Sequence, residues 1–174
     1  MRILITGASG FVGTHVAEAC LRRGWPIHLL ARANSYLCHL ENQPGVVVFR
    51  GELHDRAIVG QALTEVDAVI HCAAKVGDWG PVADYRQANV ESLRVLLDAC
   101  KGLALSRFIH MSSLGVYPAR HHYGTDETTP LPKKHRDGYT QSKVESDRLA
   151  LQYHGDFGVP VVVLRPGFIY VPGD

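Results

Sequence analysis

Excess charge of either sign is missing from this sequence. Its 18 lysines and arginines stand against 17 aspartates and glutamates, for a formal net charge of +1 over 174 residues. That balance removes the electrostatic footprint by which nucleic acid is bound, so nucleic acid is not expected as a partner. Long apolar runs are missing too. Met1 and Arg2 lead into a short apolar stretch that stops at Gly7, too brief for a secretion signal, and no later run is long enough to span a bilayer. With no membrane segment, a cytoplasmic location is expected. Cysteine is sparse: Cys20, Cys38, Cys72 and Cys100 fall singly, with no C-x-x-C spacing. This argues against a disulfide framework or a zinc site, and reads as reduced, mostly buried thiols on helices and strands. His121 and His122 have no third ligand at usable spacing and read as solvated loop residues, so no metal is expected. No internal repeat or low-complexity segment is present.

What is there is an ordinary globular composition, 46% hydrophobic and 20% charged, sized for one domain over residues 1–174. Short apolar runs alternate with longer amphipathic ones. Strands are expected at 2–6, 26–31, 46–51, 66–74, 106–113 and 159–166, with helices at 11–24, 82–102 and 139 to about 153. Strands apolar on both faces and interleaved with helices predict an α/β fold with a parallel sheet covered on both sides. The irregular stretch 117–138 is rich in turn-formers and charge, including Lys133, Lys134 and Arg136; loops of that length are functional or disordered.

In "ITGASGFVGTHVA", Gly7, Gly10 and Gly13 lie directly after the first strand and at the start of the first helix. The first glycine permits a tight turn, the second lets backbone approach a pyrophosphate, and the third lets helix and strand pack closely. A phosphate there meets free N–H groups and the positive end of the helix dipole. The second strand ends in "HLLARAN", with Ala31 where a ribose-binding carboxylate would stand and Arg32 after it. A guanidinium suits a 2′-phosphate, so NADP is the expected cofactor, with NAD as the other choice.

Tyr139 and Lys143 are four apart on a helix, which places phenol and ammonium on one face. Beside a dinucleotide, the ammonium is expected to favour the phenolate and to hydrogen-bond the nicotinamide ribose, while the phenol exchanges a proton with a substrate hydroxyl or carbonyl. Ser112 and Ser113, at the carboxyl end of the fifth strand, offer a group to hold that oxygen.

Taken together, these stretches resemble the extended short-chain dehydrogenase/reductase family, also called the NAD-dependent epimerase/dehydratase group, over essentially the whole chain. T-G-x-x-G-x-x-G is met by Thr6, Gly7, Gly10 and Gly13, and the adenine-side "GDL" element by Gly51, Glu52 and Leu53. His71, Ala73 and Ala74 match "HxAA", Asn89 matches the family's helix asparagine, and Ser113, Tyr139 and Lys143 match its serine, tyrosine and lysine. "LRPGFIYVPGD" is similar to the family's "RPxxIYGPGD", with Val171 in place of glycine. The resemblance implies a Rossmann-type doubly wound parallel sheet with helices on both faces, and catalytic roles for Ser113, Tyr139, Lys143 and Asn89. It implies cofactor contacts from Gly7, Ser9, Gly10, Phe11, Val12, Gly13, Glu52, Leu53, Ala73, Ala74, Lys75, Tyr139, Lys143 and Pro166, alongside Arg32. "AAKVGDWG" is similar to the 3β-hydroxysteroid dehydrogenase branch, which implies a sterol-like or β-keto substrate; the other reading is that Trp79 packs under the nicotinamide pocket.

The family's chains continue for roughly as long again past that turn, so the C-terminal substrate domain is expected to be absent here and turnover by this chain alone to be weak. Three activities compete. The first is an NAD(P)-dependent oxidoreductase interconverting a secondary alcohol and a ketone on a small-molecule substrate. A nucleotide-sugar epimerase or dehydratase, which returns the hydride, is the alternative. A dinucleotide-binding sensor without turnover is the third. A homodimer is among the partners this reading admits.

Overall fold

The computed structural model describes residues 1–77, 79–118, 120–121, 123–135 and 137–170. His122, Arg136, Val171 and the rest of the "VPGD" turn therefore lie outside the described residues. Six strands, β1 (Ile3–Thr6), β2 (Ile27–Ala31), β3 (Val46–Arg50), β4 (Ala68–His71), β5 (Arg107–Met111) and β6 (Val161–Leu164), form one sheet in the order β3-β2-β1-β4-β5-β6. Every neighbouring pair is parallel. β1 is apolar along its length because both its faces are covered. On one side Ile3, Ile5, Ile27 and Leu29 pack with Ala17 and Cys20 of α1 (Phe11–Arg22). On the other, Leu4, Val69 and Phe108 meet α2 (Arg56–Ala62), α4 (Ser92–Cys100) and α5 (Gly138–Phe157). This is the expected doubly wound sheet. Successive strands run outward from β1 in one direction and then from β4 in the other, so a crevice opens between the carboxyl ends of β1 and β4.

Where one helix was expected over 82–102, α3 (Val82–Arg86), a π turn (Gln87–Glu91) and α4 follow without a break. The wider turn falls at Asn89, and such bulges frequently mark functional sites. β5 stops at Met111, short of the expected 113, so Ser112 and Ser113 lie on the outgoing segment. α5 runs on to Phe157 because Gly158, at φ +68, supplies the left-handed residue that ends it. α2 was not anticipated. It is too short for its periodicity to stand out, and its signal was the cap: Asp55 Oδ1 accepts from the N–H groups of Ala57 and Ile58 at 2.9 and 3.3 Å.

Cys20 and Cys100 are buried and Cys72 is half-buried, but Cys38 is exposed. It opens a short 3₁₀ helix at φ +53, and that helix buries Leu40 rather than Cys38. Among the described residues, no helix is long and apolar enough to cross a membrane, and no cluster of histidine, cysteine and carboxylate side chains could hold a metal ion.

Candidate functional site

Gly7 turns the chain at φ +76, and a Cβ there would lie 2.6 Å from the backbone nitrogen of Ala73. The end of β1 thus passes against the segment leaving β4 with no room for a side chain. A Cβ on Gly13 would overlap the Gly7 carbonyl, so α1 can begin directly on the loop. Gly10 is the N-cap of α1 and offers no side-chain hydrogen bond, which leaves the first-turn N–H groups facing the crevice. A cradle closed to side chains and edged by free N–H groups fits the pyrophosphate of a dinucleotide.

The crevice has a volume of about 1150 Å³, and its wall contains Gly7, Ser9, Gly10, Phe11, Val12, Gly13, Arg32, Glu52, Leu53, Ala73, Ala74, Lys75, Ser113, Tyr139, Lys143 and Pro166. Every residue expected at a cofactor is therefore brought to one place. Arg32 is exposed at the end of β2, and Ala31 is buried behind it. Arg50, which the sequence reading missed, shapes this corner. Its Nη1 donates to the carbonyls of Arg32 and Ser35 at 3.1 and 2.8 Å, and its Nη2 pairs with Glu41 at 2.7 Å. Lys75 lines the crevice, but its ammonium is engaged elsewhere, 2.8 Å from Asp84 Oδ2 and 5.1 Å over the Tyr85 ring.

At the far end of the crevice stand Ser113, Tyr139 and Lys143. Tyr139 opens α5, and Asp137 caps that helix by accepting from the Thr140 N–H at 2.8 Å. Burial holds the Tyr139 phenol above its ordinary value; a hydrogen bond with Ser113 pulls it down, and the Asp137 carboxylate pushes it up. In the chain by itself the Lys143 ammonium turns to the Met111 carbonyl, 2.8 Å away. Lys143 is only 4% exposed. Burial lowers it to about 8, against the opposing pull of Asp147 and then Cys72. Both candidate serines line the crevice: Ser113 accepts from the Gly115 N–H at 3.1 Å, and Ser112 lies buried beside it.

Asn89 does not line the crevice; it stands behind it as a brace. From the π turn its Oδ1 accepts from the Lys75 N–H at 2.7 Å, and its Nδ2 donates to the Lys75 carbonyl at 3.0 Å and to Ser142 Oγ at 2.8 Å. Ser142 in turn donates to the Tyr139 carbonyl at 2.7 Å. The reading from sequence missed Ser142, which is wholly buried, because one serine beside a lysine carries no distinctive signal. Tyr85 was missed as well. Its hydroxyl donates to the carbonyls of Gly77 and Trp79 at 2.9 and 2.8 Å and so ties those two backbone positions together. Trp79 itself is 92% exposed, which goes against the alternative reading of "AAKVGDWG", in which it packs under the nicotinamide pocket: the indole faces outward.

A profile of the NAD dependent epimerase/dehydratase family matches residues 3–174. The chain is 33% identical over its full length to a 2-alkyl-3-oxoalkanoate reductase of Stenotrophomonas maltophilia, covering 52% of that protein. It is 32% identical to a 3 beta-hydroxysteroid dehydrogenase/Delta 5-->4-isomerase of Mycobacterium tuberculosis, over 99% of this chain and 48% of that one. The fold superposes on UDP-glucuronic acid 4-epimerase from Bacillus cereus in complex with NAD with a TM-score of 0.88 and 29% identity, over all of this chain and 59% of the other. The chain thus spans about half the length of the curated relatives it matches.

Proposed function

The chain belongs to the NAD dependent epimerase/dehydratase family, and from that premise we propose that it carries the cofactor half and the acid/base group of an NAD(P)-dependent oxidoreductase interconverting a secondary alcohol and a ketone. The observation that supports this best is the convergence of Ser113, Tyr139 and Lys143 on the crevice behind the glycine loop. When bound, the nicotinamide supplies the hydride or accepts it. Gly7, Gly10 and Gly13 would admit the pyrophosphate, Glu52 and Leu53 would border the adenine, and Ala73, Ala74, Lys75 and Pro166 would close the nicotinamide end. Lys143 would hold the ribose there. Tyr139, kept protonated by burial, donates its proton to a ketone oxygen at neutral pH, and Ser113 fixes that oxygen by hydrogen bonding. Asn89 acts through the backbone of Lys75 and through Ser142. Likeness to the reductase and the hydroxysteroid dehydrogenase supports a β-keto or sterol-like substrate.

NADP is the preferred nucleotide in this reading, because Arg32 follows the end of β2 and Ala31, not a carboxylate, precedes it in the sequence. A second reading, a nucleotide-sugar epimerase or dehydratase, draws on the NAD-bound epimerase fold. Titrating the purified chain with NADPH and NADH, followed by fluorescence of Trp25 and Trp79, separates the two. Preference for NADPH is expected, and Arg32→Ala is expected to weaken NADPH binding by roughly tenfold to a hundredfold, the size of one charge-assisted hydrogen bond. Tightly held, co-purifying NAD and indifference to Arg32→Ala would favour the second reading.

A further inference from the structure

Behind the crevice lies a buried polar layer that the mechanism above does not use. Three side chains in register cross the sheet: Thr6 on β1, His71 on β4 and His110 on β5. Thr6 Oγ1 lies 2.7 Å from His71 Nδ1, and the rings of His71 and His110 stack with centroids 5.6 Å apart. Over them sits α5, with Lys143 and, one turn on, Asp147, the latter wholly buried. Asp147 Oδ2 accepts from Arg165 Nε at 2.9 Å. Its Oδ1 lies 3.6 Å from His110 Nε2 and makes no hydrogen bond, nor does Ser112 Oγ nearby.

The charges in this layer are unbalanced. Two cations, Lys143 from α5 and Arg165 from the end of β6, share one carboxylate. The other titratable groups facing Lys143 are neutral. Burial lowers His71 to about 3 and holds His110 well below its usual value, in each case with Lys143 adding to the effect. Burial raises the Cys72 thiol to about 11, and Tyr139 is held protonated. Burial also pushes the Asp147 carboxyl up, while the hydrogen bond from Arg165 and the charges of Arg165 and Lys143 pull it back. Among the described residues, Lys143 Nζ hydrogen-bonds to an uncharged carbonyl alone, and a lone ammonium in such a place discharges.

We propose that Asp147 is a positioning residue, the counter-ion that keeps Lys143 charged although no ion pair joins them directly. Residues four apart on a helix are neighbours, and in a layer without solvent a charge acts across that gap with little screening. Arg165 orients the carboxylate by taking one oxygen, which leaves the other directed into the layer. The inference rests on the proposed function only in giving Lys143 its task at the ribose.

The test reads Lys143 directly, without cofactor or substrate. The chain has five lysines, so lysine labelled with ¹³C at Cε gives few resonances, and Lys143→Arg identifies the one that matters. Its midpoint is expected near 8 in the parent. In Asp147→Asn it is expected to fall by about one pH unit or more, a tenfold loss of proton affinity, and to return most of the way in Asp147→Glu, the other four resonances staying put. A folded Asp147→Asn protein with an unmoved Lys143 midpoint would overturn the proposal. Should that variant not fold, the coupling is read from the other side, because it must be reciprocal: Lys143→Met is expected to raise the midpoint of the Asp147 carboxyl, and an unchanged carboxyl overturns the proposal equally. Failure to bind nucleotide leaves these titrations standing, and failed titrations leave nucleotide binding standing.

Discussion

Tyr139 and Lys143 share a helix face but not an environment. The phenol lies half-buried on the crevice wall, whereas the ammonium is drawn under it to the Met111 carbonyl. In the proposed reaction, proton transfer is therefore assigned to the tyrosine, and charge and binding to the lysine. Tyr139→Phe is expected to lower ketone turnover by about 10²–10⁴, the contribution of a positioned acid, while leaving nucleotide affinity near the parent's; single-turnover oxidation of NADPH with a β-keto or sterol-like ketone checks it, and a loss of affinity matching the loss of rate would place the tyrosine in binding. At this scale the spacing rules served well, because neighbours along a helix are set by its pitch. They failed for Arg50, and for the bonds that tie Ser142 to Asn89 and Asp147 to Arg165, because those partners come from other elements.

Elements place these residues through their ends. Asp137 caps α5 with bonds to both the backbone and the hydroxyl of Thr140, at 2.8 and 2.6 Å, and so fixes the turn that carries Tyr139. Asp137→Ala is expected to cost about 1 kcal/mol, checked by denaturant unfolding, and to lower turnover by more than that loss of stability accounts for. The π turn does the same for Asn89, since its wider winding lets the side chain brace Lys75 and Ser142 together. Neither the π turn nor α2 was legible beforehand. A bulge leaves helical periodicity almost intact, and seven residues supply too few repeats for a period to show.

Across the whole molecule, the buried layer under α5 makes stability depend on acid. His71 is held neutral down to about 3 but protonates near 6.5 in the unfolded chain. Between those values the unfolded state binds more protons, so stability rises with pH and is lost as pH falls through the window. Urea unfolding at pH 7 and pH 5 is expected to show a loss on the order of 2 kcal/mol from this residue, and His71→Asn is expected to flatten the slope.

The parallel sheet, the glycine turn and the tyrosine-lysine face were legible in the residues alone, because burial on two faces, positive φ and helical pitch each leave a local mark on composition and spacing. The outward indole of Trp79 and the bonds by which Asn89 joins Lys75 to Ser142 were not. They depend on where strands stop and which elements cross, and so did the meeting of Thr6, His71, His110, Asp147 and Arg165. Those five lie on β1, β4, β5, α5 and the end of β6, and only the sheet register and the helix packed over it bring their charges and dipoles into one layer.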